Sequence, residues 1–362
     1  MAGLPPPLEI HPPLINSANP WATTLDDLRS LYASRSTGAV TTRTSLIKGF
    51  DHDPAKHQYI FFDPSTHNAS PEPDQSQAGL AQNASLNSLG YSPLPLETYL
   101  SFIKTISDEQ KHHHHPQQQQ PTESSPNPRK GFIISVTGTP DEIAASYKLI
   151  ASAAPDLHLP LVAMEVNLSC PNIPNHPPPA YSRDALITYL EQLHRVFATA
   201  GPGLPRIPVG LKTPPYTHAG EYEGLMAALE RAAEEEPGGV CPVSFITATN
   251  TLGSCLVFSA EDGEASSSGA RFALPGAGMG GMAGAPLHPL ALGNVCTLRR
   301  MLDERRDKLG HVKVIGVGGV LDAEGYRRMR AVGAYAVGIG TGLGLKGVGI
   351  FGEIEAGLGG RW

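Results

Sequence analysis

One stretch, Met164 to Tyr181 (MEVNLSCPNIPNHPPPAY), sets a thiol among carboxamides at spacings that could do chemistry. Cys170 stands between Asn167 and Asn172, with Ser169 beside it, and Pro171, Pro174 and Pro177 to Pro179 follow. The apolar run from Ala163 to Leu168 reads as a buried strand. The polar cluster is therefore released at a strand exit into a proline-stiffened loop with little conformational freedom left to lose. A thiol held this way can act as a nucleophile or a base. The alternative is a small buried hydrophobe, the commoner fate of a lone cysteine after a strand.

Stepping outward, eight strands are expected, starting near Pro13, Ala39, Gly131, Ala163, Pro208, Ser244, Val312 and Ala334. Helices are expected over Thr23–Ala33 with Thr24 as cap, Pro95–Gln110, Asp141–Ala153, Ser182–Ala200, Tyr222–Glu235, Pro289–Leu309 and Asp322–Val332. This alternation predicts one α/β unit spanning 1–362, a TIM (β/α)8 barrel with low-complexity loop insertions at about 50–85, 111–130 and 259–276. Gly49 to Ser85 reads as loop from its Pro, Asn, Asp and Ser content, with short β-rich pieces able to cap the barrel. Asn87 falls in a turn-prone SLNSLGY segment, and Gly276 to Pro286 reads as a glycine-rich loop. The run HHHHPQQQQ reads as a surface insertion, since neither strand nor helix puts four adjacent histidines on one face, and no metal site is assigned.

The last two strands end in GVGG (Gly318, Gly319) and GIGTG (Gly340, Thr341), the two positions where such barrels bind phosphate on backbone N–H groups. Glycine lets the chain approach an anion closely, and the Thr341 hydroxyl adds a donor. Lys212 ends the fifth strand, where a buried-facing ammonium is costly unless it meets a negative charge. Asn250 ends the sixth.

The 362-residue chain is 40% hydrophobic and 17% charged, an ordinary globular balance, with 39 Gly and 34 Pro for turns and long loops. A formal net charge of −7 without a basic run argues against nucleic acid and anionic membranes. No apolar run reaches about 18 residues and the start MAGLPPPLEIHPPL is no leader, so a cytosolic protein is expected. Cys170, Cys241, Cys255 and Cys296 lack paired spacing, which suits free thiols in a reducing compartment.

INSA, TTRTS, SLNSLG, NLSCPN, GLKTPPY, TNT, GMGGMAG, GVGG and GIGT occur in an order that resembles the class 1 dihydroorotate dehydrogenases, and the soluble fumarate-reducing class 1A among them. The resemblance implies oxidation of (S)-dihydroorotate to orotate with FMN in de novo pyrimidine biosynthesis, with fumarate as acceptor and a homodimer. It implies that Cys170 is the base taking the C5 proton, and that Asn87, Asn167, Asn172, Asn250, Thr251 and Arg43 hold the substrate. Ser17, Ala18, Arg43, Thr44, Asn167, Lys212, Thr249, Gly284, Gly318, Gly319, Gly340 and Thr341 would hold FMN. A thiol base further implies activity rising with pH. The chain departs from the family pattern at Arg43, where relatives place a lysine, at Leu89 and Tyr91, where they place Met and Leu, and in a shorter end after the last phosphate loop. A divergent or inactive FMN-binding paralogue, a related flavin barrel acting on another pyrimidine, and a class 1B enzyme with a partner subunit stay open at this point.

Overall fold

The computed structural model describes residues 4–67, 69–70, 82–113, 130–173, 177–201, 203–259 and 271–362. Among them thirteen strands run in chain order: β1 (Leu14–Asn16), β2 (Ala39–Thr41), β3 (Tyr59–Phe62), β4 (Ala69–Ser70), β5 (Ala84–Asn87), β6 (Gly131–Val136), β7 (Val162–Asn167), β8 (Val209–Thr213), β9 (Phe245–Ala248), β10 (Leu252–Leu256), β11 (Met279–Gly284), β12 (Lys313–Val317) and β13 (Ala336–Ile339). The helices are α1 (Leu25–Ala33), α2 (Leu96–His113), α3 (Pro140–Leu157), α4 (Arg183–Thr199), α5 (Ala219–Glu235), α6 (His288–Glu304), α7 (Arg306–Leu309), α8 (Ala323–Ala331), α9 (Thr341–Lys346) and α10 (Gly349–Leu358). None of the described helices is long and apolar enough to cross a membrane.

Eight parallel strands close a barrel in the order β1-β13-β12-β9-β8-β7-β6-β2, and these are the eight read from the sequence. Asn167 pairs with Lys212, Thr213 with Ala248 and Asn16 with Ile339, so the strand exits are brought level. Ile15, Ile133, Ala163, Phe245 and Ile315 form the barrel's inner apolar cluster. Gly210 is required there, because a Cβ on it would sit 2.2 Å from the Phe245 ring. A larger apolar layer lies between the strands and the helices. Thr24, Thr139, Ser182 and Asp322 cap α1, α3, α4 and α8, each accepting a backbone N–H of the first turn.

The expected glycine-rich loop is sheet, and the stretch 49–85 holds short β pieces of the kind expected to cap the barrel. A second sheet, in the order β10-β11-β5-β3-β4, takes strands from the stretch 49–85 and from the glycine-rich stretch 276–286. Prolines and short polar residues around Tyr59–Phe62 masked a YIFF strand whose Ile60 and Phe62 pack with Ala84 and Leu86. In β11 the glycines answer to crowding rather than to turning. A Cβ on Gly281 would lie 2.1 Å from Thr251 Oγ1, and one on Gly280 2.5 Å from the Asn87 carbonyl oxygen. Asn87 accordingly ends strand β5 instead of sitting in a turn. The expected helix 289–309 is broken at Arg305 into α6 and α7. The barrel is closed, and α9 and α10 follow β13. His112 and His113 end α2, while the rest of the histidine and glutamine tract and residues 260–270 lie outside the described residues.

The loop behind Lys212 is held by side-chain hydrogen bonds, two of them from Asn294. Asn294, fully buried on α6, accepts from the Tyr216 N–H at 2.8 Å and donates to the Tyr216 carbonyl at 3.0 Å. Asn294→Ala leaves both backbone groups buried without that partner. It is expected to lower unfolding stability by about 3 kcal/mol in denaturant titrations.

Candidate functional site

The carboxyl ends of the barrel strands and the second sheet enclose one cleft of about 1010 Å³, open solvent at its mouth included. Every site residue read from the sequence lines it, from Ser17 and Ala18 after β1 to Gly340 and Thr341 after β13. Arg43 and Thr44 enter from the β2 exit, Asn167 and Cys170 from β7, Lys212 from β8, and Thr249, Asn250 and Thr251 from the β9 exit. The second sheet contributes Asn87 and Gly284, together with Tyr59 and Ser85, which sequence reasoning did not single out. Pro174 lies outside the described residues.

The amides are not loose strand ends. Asn250 Nδ2 donates to Ser169 Oγ (3.0 Å), Ser169 Oγ to Asn167 Oδ1 (2.8 Å), and Asn167 Nδ2 to Thr44 Oγ1 (2.9 Å). Thr44 Oγ1 lies 2.9 Å from Ser135 Oγ, which donates to Glu165 Oε1 at 2.9 Å, and Thr247 Oγ1 donates to Glu165 Oε2 at 2.6 Å. Since Ser135 donates to Glu165, its hydroxyl accepts from Thr44, which accepts from Asn167, so the chain of donors runs one way from Asn250 to Glu165 and fixes which face of each amide meets the cleft. Glu165 is 2% exposed. Its signal in the sequence was a lone acid inside the apolar strand Val162–Asn167, and the reading passed over it.

A second group binds the two sheets together at the cleft. Asn172 Nδ2 donates to Asn87 Oδ1 (2.9 Å) and to the Leu89 carbonyl (2.8 Å), while Asn87 Nδ2 donates to the Gly281 carbonyl (3.0 Å). Trp21 stacks on Phe61 with ring centres 6.0 Å apart and meets Tyr59 edge-on at 5.4 Å. These contacts set an aromatic and amide roof over the barrel mouth.

Two cations face the same space. The Lys212 side chain is 3% exposed and its ammonium has no hydrogen-bond or ion-pair partner among the described residues. Arg43 donates to the Tyr91 carbonyl at 3.2 Å and to Thr23 Oγ1 at 3.5 Å, and it too forms no ion pair among the described residues. Burial lowers the Arg43 guanidinium from its ordinary value, although arginine stays charged. An unpaired buried charge is strongly unfavourable, so the cleft is suited to an anionic ligand.

Burial also pushes the Cys170 thiol up from its ordinary value. The Asn172 N–H, the Lys212 charge, the Tyr91 hydroxyl and the Arg43 charge each act in the opposite direction. The thiol is partly exposed into the cleft, whereas Cys241 is wholly buried and its thiol is pushed up to about 12. All four cysteines are free.

At the other end of the cleft, Gly284, Gly318 and Gly319 take positive φ values of 85°, 144° and 66°. A Cβ on Gly319 would lie 2.5 Å from the Gly284 carbonyl oxygen, so two of these segments touch backbone to backbone. The N–H groups of Gly319 and Thr341 make no backbone hydrogen bond among the described residues, and the Thr341 hydroxyl lies 2.8 Å from Ser85 Oγ. Uncommitted N–H donors on a glycine cradle fit a phosphate. With the unpaired Lys212 at the far side, the residues fit a ring system bearing a phosphate, as in a flavin mononucleotide. No group of three or more His, Cys, Asp or Glu side chains that could hold a metal occurs among the described residues.

Comparison with known proteins adds the lineage. A family model described as dihydroorotate dehydrogenase matches residues 64–361. The chain is 29% identical over 343 residues to the dihydroorotate dehydrogenase (fumarate) of Trypanosoma cruzi, covering 95% of this chain and 87% of that protein. It is 25% identical over 346 residues to dihydroorotate dehydrogenase A (fumarate) of Lactococcus lactis subsp. lactis, covering 96% and 89%. Among solved structures, ligand-free DHODH from Eimeria tenella superposes with a TM-score of 0.65 at 16% identity, covering 96% of this chain and 84% of that one, a likeness of fold.

Proposed function

Because the chain belongs to the dihydroorotate dehydrogenase family, FMN-dependent oxidoreductases of pyrimidine biosynthesis, we propose that it oxidises dihydroorotate to orotate at this cleft with Cys170 as the base. The observation that carries this reading is the placement of one partly exposed thiol among Asn87, Asn167, Asn172 and Asn250, with two cations unpaired among the described residues on the same walls. The four amides offer paired donors and acceptors to a pyrimidine ring, and Arg43 can grip its carboxylate through two N–H groups. Thr251 would support the same ligand from the β9 exit.

Cys170 as thiolate takes the proton from C5, forming S–H, while the C5–H electron pair becomes the C5–C6 double bond and hydride departs from C6. FMN, when bound, supplies the two-electron acceptor for that hydride. Gly284, Gly318, Gly319, Gly340 and Thr341 would hold its phosphate, and Ser17, Ala18, Thr44, Asn167, Lys212 and Thr249 its remaining polar edges. Arg43 would serve both ligands. The roof of Trp21, Tyr59 and Phe61 keeps water from the reacting atoms. Fumarate, a small dicarboxylate, suits the same cationic walls as the reoxidant, and no partner subunit is then needed.

Anaerobic dihydroorotate added to the purified protein should bleach the flavin absorbance, and fumarate should restore it. Bound flavin that never bleaches would sink the dihydroorotate reading and favour a divergent FMN-binding barrel. The pH dependence has a definite sign. The base works deprotonated and burial raises its titration, so the rate of flavin reduction should climb through and beyond the ordinary thiol range at about 8.5. A profile flat from neutral to alkaline pH would exclude a thiol base.

A further inference from the structure

The peptide unit between Gly318 and Gly319 needs a cause for its orientation. Glycine on both sides lets such a unit turn over at little steric cost, and here the two residues take φ values of 144° and 66°. In a trans peptide the carbonyl of one residue and the N–H of the next point in opposite directions. Whatever holds the Gly318 carbonyl therefore aims the Gly319 N–H.

His288, the first residue of α6, holds it. Its Nδ1 lies 2.7 Å from the Gly318 carbonyl oxygen, and its Nε2 accepts from the Nε–H of Arg328, on α8, at 3.1 Å. A carbonyl only accepts and a guanidinium only donates, so the hydrogen sits on Nδ1 and the lone pair on Nε2. The histidine is 8% exposed and is not part of the cleft wall, whereas Gly318 and Gly319 line it. It is seated directly behind the turn, since a Cβ on Gly319 would lie 2.7 Å from the His288 Cβ. The Gly318 carbonyl is thus drawn back toward α6. The Gly319 N–H, which makes no backbone hydrogen bond among the described residues, is left on the cleft side.

We propose that His288 is a positioning residue for the glycine cradle, committing the Gly319 N–H to the ligand's phosphate by holding the Gly318 carbonyl on the other side of the same peptide plane. Arg328 stands behind it and commits the imidazole to the tautomer that this task needs. Neither side chain lines the cleft, so both act on the ligand only through the backbone. The consequence is selectivity. A phosphorylated flavin gains the hydrogen bond and an unphosphorylated one does not, while the amides and Lys212, which face the ring system, are untouched.

This inference rests on the reading of the cradle as the phosphate site of FMN, and its test separates the two. Holoenzyme equilibrated with known mixtures of FMN and riboflavin, then freed of unbound flavin, reports its preference in the flavin it retains. Wild type is expected to retain FMN. His288→Leu deletes the donor and is expected to lower the preference for FMN over riboflavin about tenfold, the scale of one hydrogen bond. His288→Asn, whose side-chain N–H can stand in for Nδ1–H, should keep most of it. Arg328→Met changes an exposed position of α8 and should move the preference in the same direction by about threefold, which decides the matter if His288→Leu does not fold. An unchanged preference in these two variants would overturn the inference and leave the cradle standing as a phosphate site. Equal loss of both flavins in His288→Leu would also overturn it, because the ring would then shape the cleft as a whole. A wild type that retains riboflavin as readily as FMN would remove the phosphate reading, and the role of His288 with it.

Discussion

Cys170→Ala is expected to slow flavin reduction by dihydroorotate on the order of a thousandfold, the span that removal of a positioned general base commands. The substitution should leave the protein yellow and able to bind orotate. The amides that would hold the ring are fixed by one another and by Glu165, not by sulfur: Asn167 through Thr44 and Ser169, Asn172 through Asn87 and Leu89. The loss therefore belongs to the proton-transfer step, and stopped-flow reduction beside an orotate titration separates it from a binding defect. Loss of orotate affinity on the same scale would mean that the thiol shapes the pocket. An unchanged rate would mean that another group takes the proton.

How much of this was legible in the sequence follows from what each residue answers to. The barrel strands answer to burial on both faces, which writes itself as continuous apolar runs such as Gly131–Val136, and all eight were found. The site residues cluster at strand exits because the barrel's geometry puts them there, so finding the strands nearly located the cleft. The second sheet answers to tertiary crowding instead. Met279–Gly284 pairs as a strand although three of its six residues are glycine and neither its propensity nor its pattern favours one, because only glycine fits against Thr251 and the Asn87 backbone. Short β pieces were expected in the first insertion, but strand Tyr59–Phe62 was too short to be placed among turn residues, and it supplies Tyr59 to the cleft. Glu165 was invisible for a different reason. A charged residue inside an apolar strand looks like a flaw until Ser135 on the adjacent β6 and Thr247 on β9, one strand beyond β8, are seen donating to it. Tyr91 was read only as a departure from a family pattern, because its place on the cleft wall, with Arg43 donating to its carbonyl, depends on contacts that no local pattern spans.

Lys212→Met carries the other large effect, and it should have opposite signs with and without the cofactor. Methionine keeps the unbranched length and deletes the charge. In the wild-type protein the Lys212 side chain is 3% exposed and its ammonium, at the cleft wall, is unpaired among the described residues, and an uncompensated charge in a largely buried site is destabilising. FMN-free Lys212→Met should therefore melt at a higher temperature than FMN-free wild type. The same charge attracts an anionic ligand within the low-dielectric cleft, so FMN affinity should fall on the order of a hundredfold, the scale of a lost buried charge contact of about 2.7 kcal/mol. Flavin fluorescence titration and calorimetric melting of the two proteins read these two signs independently. A variant that melts lower than wild type without FMN would show that Lys212 is satisfied within the apo fold. In that case the anion-binding argument for the cleft would rest on Arg43 and the glycine cradle alone. If instead both signs hold, the stability given up at Lys212 in the empty protein is the measure of how far the barrel is built around its ligand, since the fold itself gains nothing from a bare ammonium at that strand exit.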